Sequence, residues 1–175
     1  MIISVENAKA LVNVDGWTDE KIKMKLLAVE QTIRAYTNNT FQDTGFRVKA
    51  TIAAGVVAAD SIPFSVGDTV QISESRYNKG LFTVDTVDAQ TMTVSESTRD
   101  EESVLITKVV YPADVVACAV NLLEWEVKNR DRVGIQSETL SRHSVTYFNM
   151  DGGNQVMGYP ASLLGCLKAY RKMRC

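Results

Sequence analysis

The residues best suited to nucleophilic or metal chemistry are one histidine, His143, and three cysteines, Cys118, Cys166 and Cys175. A Ser/His/Asp or Cys/His arrangement has to use His143, since no other imidazole is present. Its neighbours Arg142 and Ser144 lie in a polar extended stretch, where a solvated or subunit-contact histidine is the expected role. The cysteines are dispersed, odd in number and include no CxxC pair. Neither a disulfide framework nor a zinc or iron site is expected from them. The run Asp100-Glu101-Glu102 lacks the spaced D-x-D-x-D-G pattern of a calcium loop and reads as a solvated turn between strands. Glu124 and Glu126, two apart on a helix, point to different faces and cannot act as a carboxylate pair. No GxGxxG or GxxxxGK(S/T) string is present to cradle phosphate, and Gly152-Gly153 reads as a hinge. No enzymatic activity, cofactor or metal is therefore expected.

The elements that carry these residues are helical at both ends and β in the middle. A short helix is predicted over Ser4–Val12, capped by Ser4 and closed by Asp15-Gly16. A longer helix follows Thr18, with Asp19 and Glu20 complementing its dipole. Its apolar stripe is Ile22, Leu26, Val29, Ile33 and Tyr36, widened by Met24 and Leu27, and Asn38-Asn39 breaks it. A third helix is predicted after Tyr111-Pro112, with Val116, Val120, Leu123 and Val127 as its stripe, broadened by Ala119 and Leu122. Lys128, Arg130 and Arg132 suit its C-terminal end and Gly134 stops it. Ile135–Tyr147 reads as extended or hairpin-like, and Asp151–Asn154 as a flexible connector. A last helix opens near Pro160 and ends in Lys168, Arg171, Lys172 and Arg174, with no acid after Asp151.

Between about 45 and 110 the period changes to two. Val48, Ala50 and Ile52 alternate with polar residues, as do Val70 and Ile72, Phe82 and Val84, and Met92 and Val94. Turn residues separate them at Ser65–Asp68, Asn78–Gly80 and Asp88–Gln90. Five or so short strands predict a small antiparallel barrel of SH3-like kind. The fold class expected is α+β: a small α-helical bundle of about four helices, residues 1–44 plus 111–175, with the β-barrel inserted at 45–110.

Composition narrows the function classes. Of 175 residues, 45% are hydrophobic and 23% charged, as in globular proteins, and the net charge is −2. A whole-protein basic field for wrapping nucleic acid is excluded. The β segment holds nine acids and six bases, a net −3. No apolar run approaches the roughly 20 residues of a membrane helix. The start lacks a basic region followed by an apolar one, so no signal peptide and a reducing cytoplasm are expected. The helical stripes are wide enough to leave apolar surface over, as subunit interfaces do.

Three stretches together resemble a known family. They are the N-terminal helix pair running into Asn38-Asn39-Thr40-Phe41, the helix Pro112–Arg130 running into Gly134–Tyr147 with its G-x-x-S-E-x-x-x-x-x-S-V-x-Y pattern, and Tyr159-Pro160 opening a terminal helix with Tyr170-Arg171-Lys172. In this the chain is similar to the head–tail connector (adaptor) proteins of long-tailed double-stranded DNA bacteriophages. The β segment departs from the simplest members, which join the second and third helices directly. The resemblance implies a non-enzymatic structural protein of the virion neck, made in the host bacterial cytoplasm. It implies a ring of about a dozen copies closed by head-to-tail interfaces. The ring would sit between the portal protein and a tail-side neck or tail terminator protein, with no membrane partner. It would line part of the channel for double-stranded DNA, which passes without sequence-specific binding. On this reading, and from charge, Lys168, Arg171, Lys172 and Arg174 contact the portal. The stretch Ile135, Ser137, Glu138, Leu140, Arg142, His143, Val145 and Tyr147 would lie along a neighbouring subunit or add a strand to it. The alternative is a nucleic-acid-binding regulatory module using the barrel, whose aromatics Phe46, Phe64, Tyr77 and Phe82 are few and set in an acidic segment.

Overall fold

The computed structural model describes residues 1–129, 137–140, 143–146 and 154–173. The chain forms two compact units. One is Met1 with Thr40–Tyr111; the other joins Ile2–Asn39 to Pro112–Cys175. The fold is α+β, with four helices among the described residues and a closed six-stranded antiparallel β-barrel.

The barrel strands are β1 (Gln42–Ala53), β2 (Val56–Ala58), β3 (Thr69–Ser73), β4 (Gly80–Val87), β5 (Thr91–Val94) and β6 (Glu101–Val109). They run β1-β2-β5-β4-β3-β6, and β6 pairs back onto β1, so no edge is left to recruit another strand. Period-two alternation makes this work. Ala50, Ile52, Val57, Val70, Ile72, Val84, Met92, Val104 and Ile106 turn inward with Phe64 to form the core, and Phe82 packs partly against it. Inward residues sit opposite one another across the ladders: Ile52 faces Val57, Val57 faces Met92, and Ile72 faces Ile106. Register shifts between Asp43 and Arg47 and between Ala50 and Ile52 bend β1, the longest strand, as closure demands. Ala54 and Gly55 both have positive φ, the two-residue hairpin turn whose twist suits antiparallel strands. Phe41 O accepts from Val110 N–H at 2.9 Å, and the Phe41 and Tyr111 rings lie 5.0 Å apart. The two ends of the inserted segment therefore meet, a few residues outside the sequence-read borders at 45 and 110.

The other unit contains α1 (Val5–Leu11), α2 (Asp19–Thr37), α3 (Ala113–Asn129) and a 3-10 helix (Ala161–Tyr170). Ser4 Oγ accepts from Asn7 N–H at 3.1 Å and Thr18 Oγ1 from Lys21 N–H at 3.3 Å, so both predicted caps are made. On α2, Ile22, Leu26, Val29 and Ile33 are fully buried, Tyr36 is half-buried, and Met24 and Leu27 are exposed. The stripe is thus narrower than its sequence reading. At about 100° per residue, Met24 falls roughly 200° around from Ile22, on the opposite face.

The stripe of α3 is also rotated from the predicted one. Val115, Cys118, Ala119, Leu122, Leu123 and Glu126 are buried, while Val116, Val120 and Val127 are half-buried. The stripe turns by one residue toward Val115, Cys118 and Leu122, which brings Glu126 onto the same face. Its carboxylate is 2% exposed and takes the Lys25 ammonium of α2 at 2.9 Å. A paired charge can face inward where a lone one would not. Glu124 turns out to solvent and pairs with Lys128.

The last helix is 3-10 and not α. Buried Leu164 and Leu167 are three apart, which three residues per turn brings onto one face. Before it, β9 (Gln155–Val156) and β10 (Tyr159–Pro160) form a tight hairpin through Met157 and Gly158, both at positive φ. Tyr159 meets the Trp125 ring edge-on at 5.4 Å. The strands β7 (Ser137–Leu140) and β8 (His143–Thr146) pair antiparallel with each other.

Candidate functional site

The C-terminal end of α2 gathers the basic residues singled out in the sequence. Asn38 takes the left-handed conformation (φ 48°) that ends the helix, a geometry asparagine tolerates better than most residues. The following segment turns away and leaves the last carbonyls of α2 open to new partners. The end of the 3-10 helix and the chain after it meet one of these carbonyls and the two asparagine side chains that follow α2. Lys172 N–H donates to Thr37 O at 2.7 Å, Asn38 Nδ2 donates to Met173 O at 3.0 Å, and Asn39 Nδ2 donates to Tyr170 O at 3.3 Å. Tyr170 is tied from the other side, its hydroxyl 2.7 Å from both carboxylate oxygens of Asp114. That carboxylate acceptor holds the phenol above its ordinary value, burial adding to the effect.

These ties fix a shallow cleft of about 500 Å³ lined by Ala35, Tyr36, Asn38, Lys168, Arg171, Lys172 and Met173. The Arg171 guanidinium lies 5.2 Å from the Tyr36 ring centre, a cation–π distance. Three exposed cations thus stand at the negative end of the α2 dipole, which favours them there. The chemistry available is electrostatic and hydrogen-bonding: Arg171 offers a planar fork of donors to carboxylate or phosphate, with two flexible ammonium groups beside it. The sequence-read residues Lys168, Arg171 and Lys172 are brought together here; Arg174 lies outside the described residues. Sequence reasoning missed Tyr36, Asn38 and Asn39 as parts of the cleft. The Asn-Asn pair was legible as a helix stop, but its side-chain bonds to a segment about 130 residues away were not.

The stretch assigned to a subunit interface is divided similarly. Ser137, Glu138 and Leu140 belong to β7, and His143 and Val145 to β8, with Leu140 opposite His143 and Glu138 opposite Val145. Ile135, Arg142 and Tyr147 lie outside the described residues, as do Gly134 and Gly152-Gly153, read from the sequence as a hinge. The hairpin is a two-stranded sheet, which is marginal alone in water.

The barrel holds a second polar constellation, where the acidic run was read as a solvated turn. Glu101 instead opens β6 and organises the β3–β4 loop. It accepts from Ser75 Oγ at 2.6 Å, from Asn78 Nδ2 at 2.7 Å and from Arg76 N–H. Asn78, buried, bonds Arg99 through both ends of its amide at 2.8 Å. The Ser75 hydroxyl, with the donors at Arg76 and Asn78, holds the Glu101 carboxyl below its usual 4.5. Asp100 likewise accepts from Ala54 N–H at 2.8 Å. Periodicity shows acids at a strand end; only the fold shows three donors converging on one of them. The loop presents Tyr77, 51% exposed, with the guanidinium carbons of Arg76 and Arg99 at 5.2 and 5.9 Å from its ring.

Among the described residues no group of three or more His, Cys, Asp or Glu is placed to hold a metal ion, and no helix is long and apolar enough to cross a membrane. Compared with models of known protein families and with curated proteins, the sequence matches none.

Proposed function

We propose that this chain is a head–tail connector subunit of a tailed bacteriophage, a structural protein that assembles into a ring between portal and tail. In this reading the helices make a small bundle that builds the ring, and the barrel is an SH3-like insert. The observation that carries it is the cationic cleft at the end of α2. Backbone bonds hold the segment that carries Lys168, Arg171 and Lys172 against the end of α2, so an acidic surface of the portal meets three cations gathered on one face. Exposed Leu11, Met24 and Leu27 on α1 and α2 supply spare apolar surface of the kind subunit interfaces use. The β7–β8 hairpin gains from a neighbour that adds strands to it. Passing DNA needs a wall without strong attraction, and the net charge of −2 is compatible with that.

The test is light scattering behind size exclusion, with and without purified portal. A ring-sized species, alone or only on portal, is the expected result. The triple variant Lys168→Glu, Arg171→Glu, Lys172→Glu should stay folded, since all three side chains are exposed, and should lose portal binding. A variant that binds portal as well as the parent would refute the docking assignment.

A second reading is favoured by one observation, the half-exposed Tyr77 flanked by Arg76 and Arg99. Such a ring with cations beside it suits base stacking and phosphate contact, as in a single-strand-binding barrel. Binding to single-stranded DNA that weakens steeply with salt, and is lost in Tyr77→Ala, would support this reading over the first.

A further inference from the structure

Two cysteines 48 positions apart in the sequence share one hydrogen-bond acceptor in the helical unit. Cys118, on α3, is buried; Cys166, on the 3-10 helix, is exposed. Both thiols donate to the carbonyl oxygen of Leu163, Cys118 at 3.3 Å and Cys166 at 3.5 Å. The two sulfurs therefore lie no further apart than those two distances added together. Burial and the neighbouring Cys166 push the Cys118 thiol well above the ordinary range, so it is protonated and inert while reduced. One accessible sulfur and one buried sulfur that share a single acceptor are placed as an attacking and a resolving cysteine.

We propose that Cys118 and Cys166 form a dithiol site that reacts with a small-molecule disulfide of the glutathione type, closing an intramolecular disulfide that staples the 3-10 helix to α3. In the first step Cys166, as thiolate, attacks one sulfur of the small disulfide. A protein–small-molecule disulfide forms, and one small thiolate leaves and takes up a proton equivalent to the one Cys166 gave up. In the second step Cys118 loses its proton to solvent base and attacks the Cys166 sulfur, displacing the second small thiol. Two protein S–H bonds and one small-molecule S–S bond become one protein S–S bond and two small-molecule S–H bonds. The protein is oxidised by two electrons and the small disulfide is reduced by two. The bond would close a long loop running through β7 to β10, restricting the unfolded chain. The proposal concerns the fold of the helical unit and does not depend on the connector reading.

The test is incubation of the full chain with glutathione disulfide at mildly alkaline pH, followed by intact mass, peptide mapping and thermal unfolding. The expected product is monomeric and lighter by two hydrogens, with Cys118 joined to Cys166. Its Tm should rise by about 5–10 °C and fall back on adding dithiothreitol. Cys175→Ser should keep both the bond and the shift, and Cys166→Ser should lose both. A product that stops at the glutathione adduct on Cys166, or a bridge that uses Cys175, would overturn the pairing. A Cys118–Cys166 bond that leaves Tm unchanged would overturn the staple.

Discussion

The barrel and the helical unit solve the same problem in opposite ways. The barrel is built from one continuous stretch whose ends meet at Phe41 and Val110. Its ladders close on themselves, its core is aliphatic apart from Phe64 and Met92, and the carboxylate at the start of β6 is surrounded by donors. The helical unit is assembled from two distant stretches. It buries Glu126 against Lys25, joins its C-terminal segment to α2 by single hydrogen bonds, and leaves Leu11, Met24 and Leu27 in water. A self-contained unit spends its sequence on its own closure. The barrel too exposes apolar side chains, Phe46, Val66 and Tyr77 among them, so what sets the helical half apart is the cationic cleft at the end of α2, and the functional reading rests on that.

Core truncations should break this comparison most visibly. Ile106→Ala and Leu26→Ala each remove a fully buried aliphatic side chain, at a cost of about 2–5 kcal/mol. Both tryptophans, Trp17 and Trp125, belong to the helical unit, so their fluorescence follows that unit while far-ultraviolet circular dichroism sees both. In urea, Ile106→Ala should move the dichroism transition and leave the fluorescence midpoint nearly unchanged; Leu26→Ala should move the fluorescence midpoint. Equal shifts in both signals from either variant would mean that the two units unfold as one.

A smaller effect sharpens the contrast in polar cores. Lys25→Met removes a cation from beside a carboxylate that stays buried, at an expected cost of about 1–3 kcal/mol, less than a fully buried pair because Lys25 is about one-third exposed. The fluorescence midpoint in urea measures it. Restoring the loss with the double variant Lys25→Met, Glu126→Met would identify the stranded charge as the cause.

The smallest expected effect is the pH dependence of the barrel. The Glu101 carboxyl is held below 4.5 in the folded state, so the unfolded chain binds its proton more readily. The stabilisation is complete above 4.5 and is lost as pH falls through the lower, folded value. Glu101→Gln should lower the melting temperature of the barrel at neutral pH and flatten its decline in acid, as followed by circular dichroism melts from neutral to acid pH. A decline as steep as the parent's would shift the acid sensitivity to other carboxylates.

The legible features were the local ones. Ser4 and Thr18 as caps, Asn38 as a stop, the Val70–Ile72 and Met92–Val94 alternation and the Ser65–Asp68 turn each follow from a few neighbouring residues. The misread features depended on distant partners. Glu126 is legible as facing away from Glu124, but its burial against Lys25, about 100 positions away, is not. Glu101 reads as part of a solvated turn because Ser75, Arg76 and Asn78 meet it only when β3 pairs with β6. Lys168, Arg171 and Lys172 were legible as a charge run at the end of the chain, whereas their seat on Tyr36 and Asn38 was not.

The sequence by itself determined where α1 and α2 begin and that Ala50, Ile52, Val70, Ile72, Val84 and Met92 face inward, because caps, turns and period-two alternation act over two to four residues. Only the tertiary structure decided which carboxylates are buried, which cations share a cleft and which thiols meet. Those outcomes depend on desolvation and hydrogen bonding between groups tens of residues apart, and such energies exist only once the chain has brought the groups within a few ångströms.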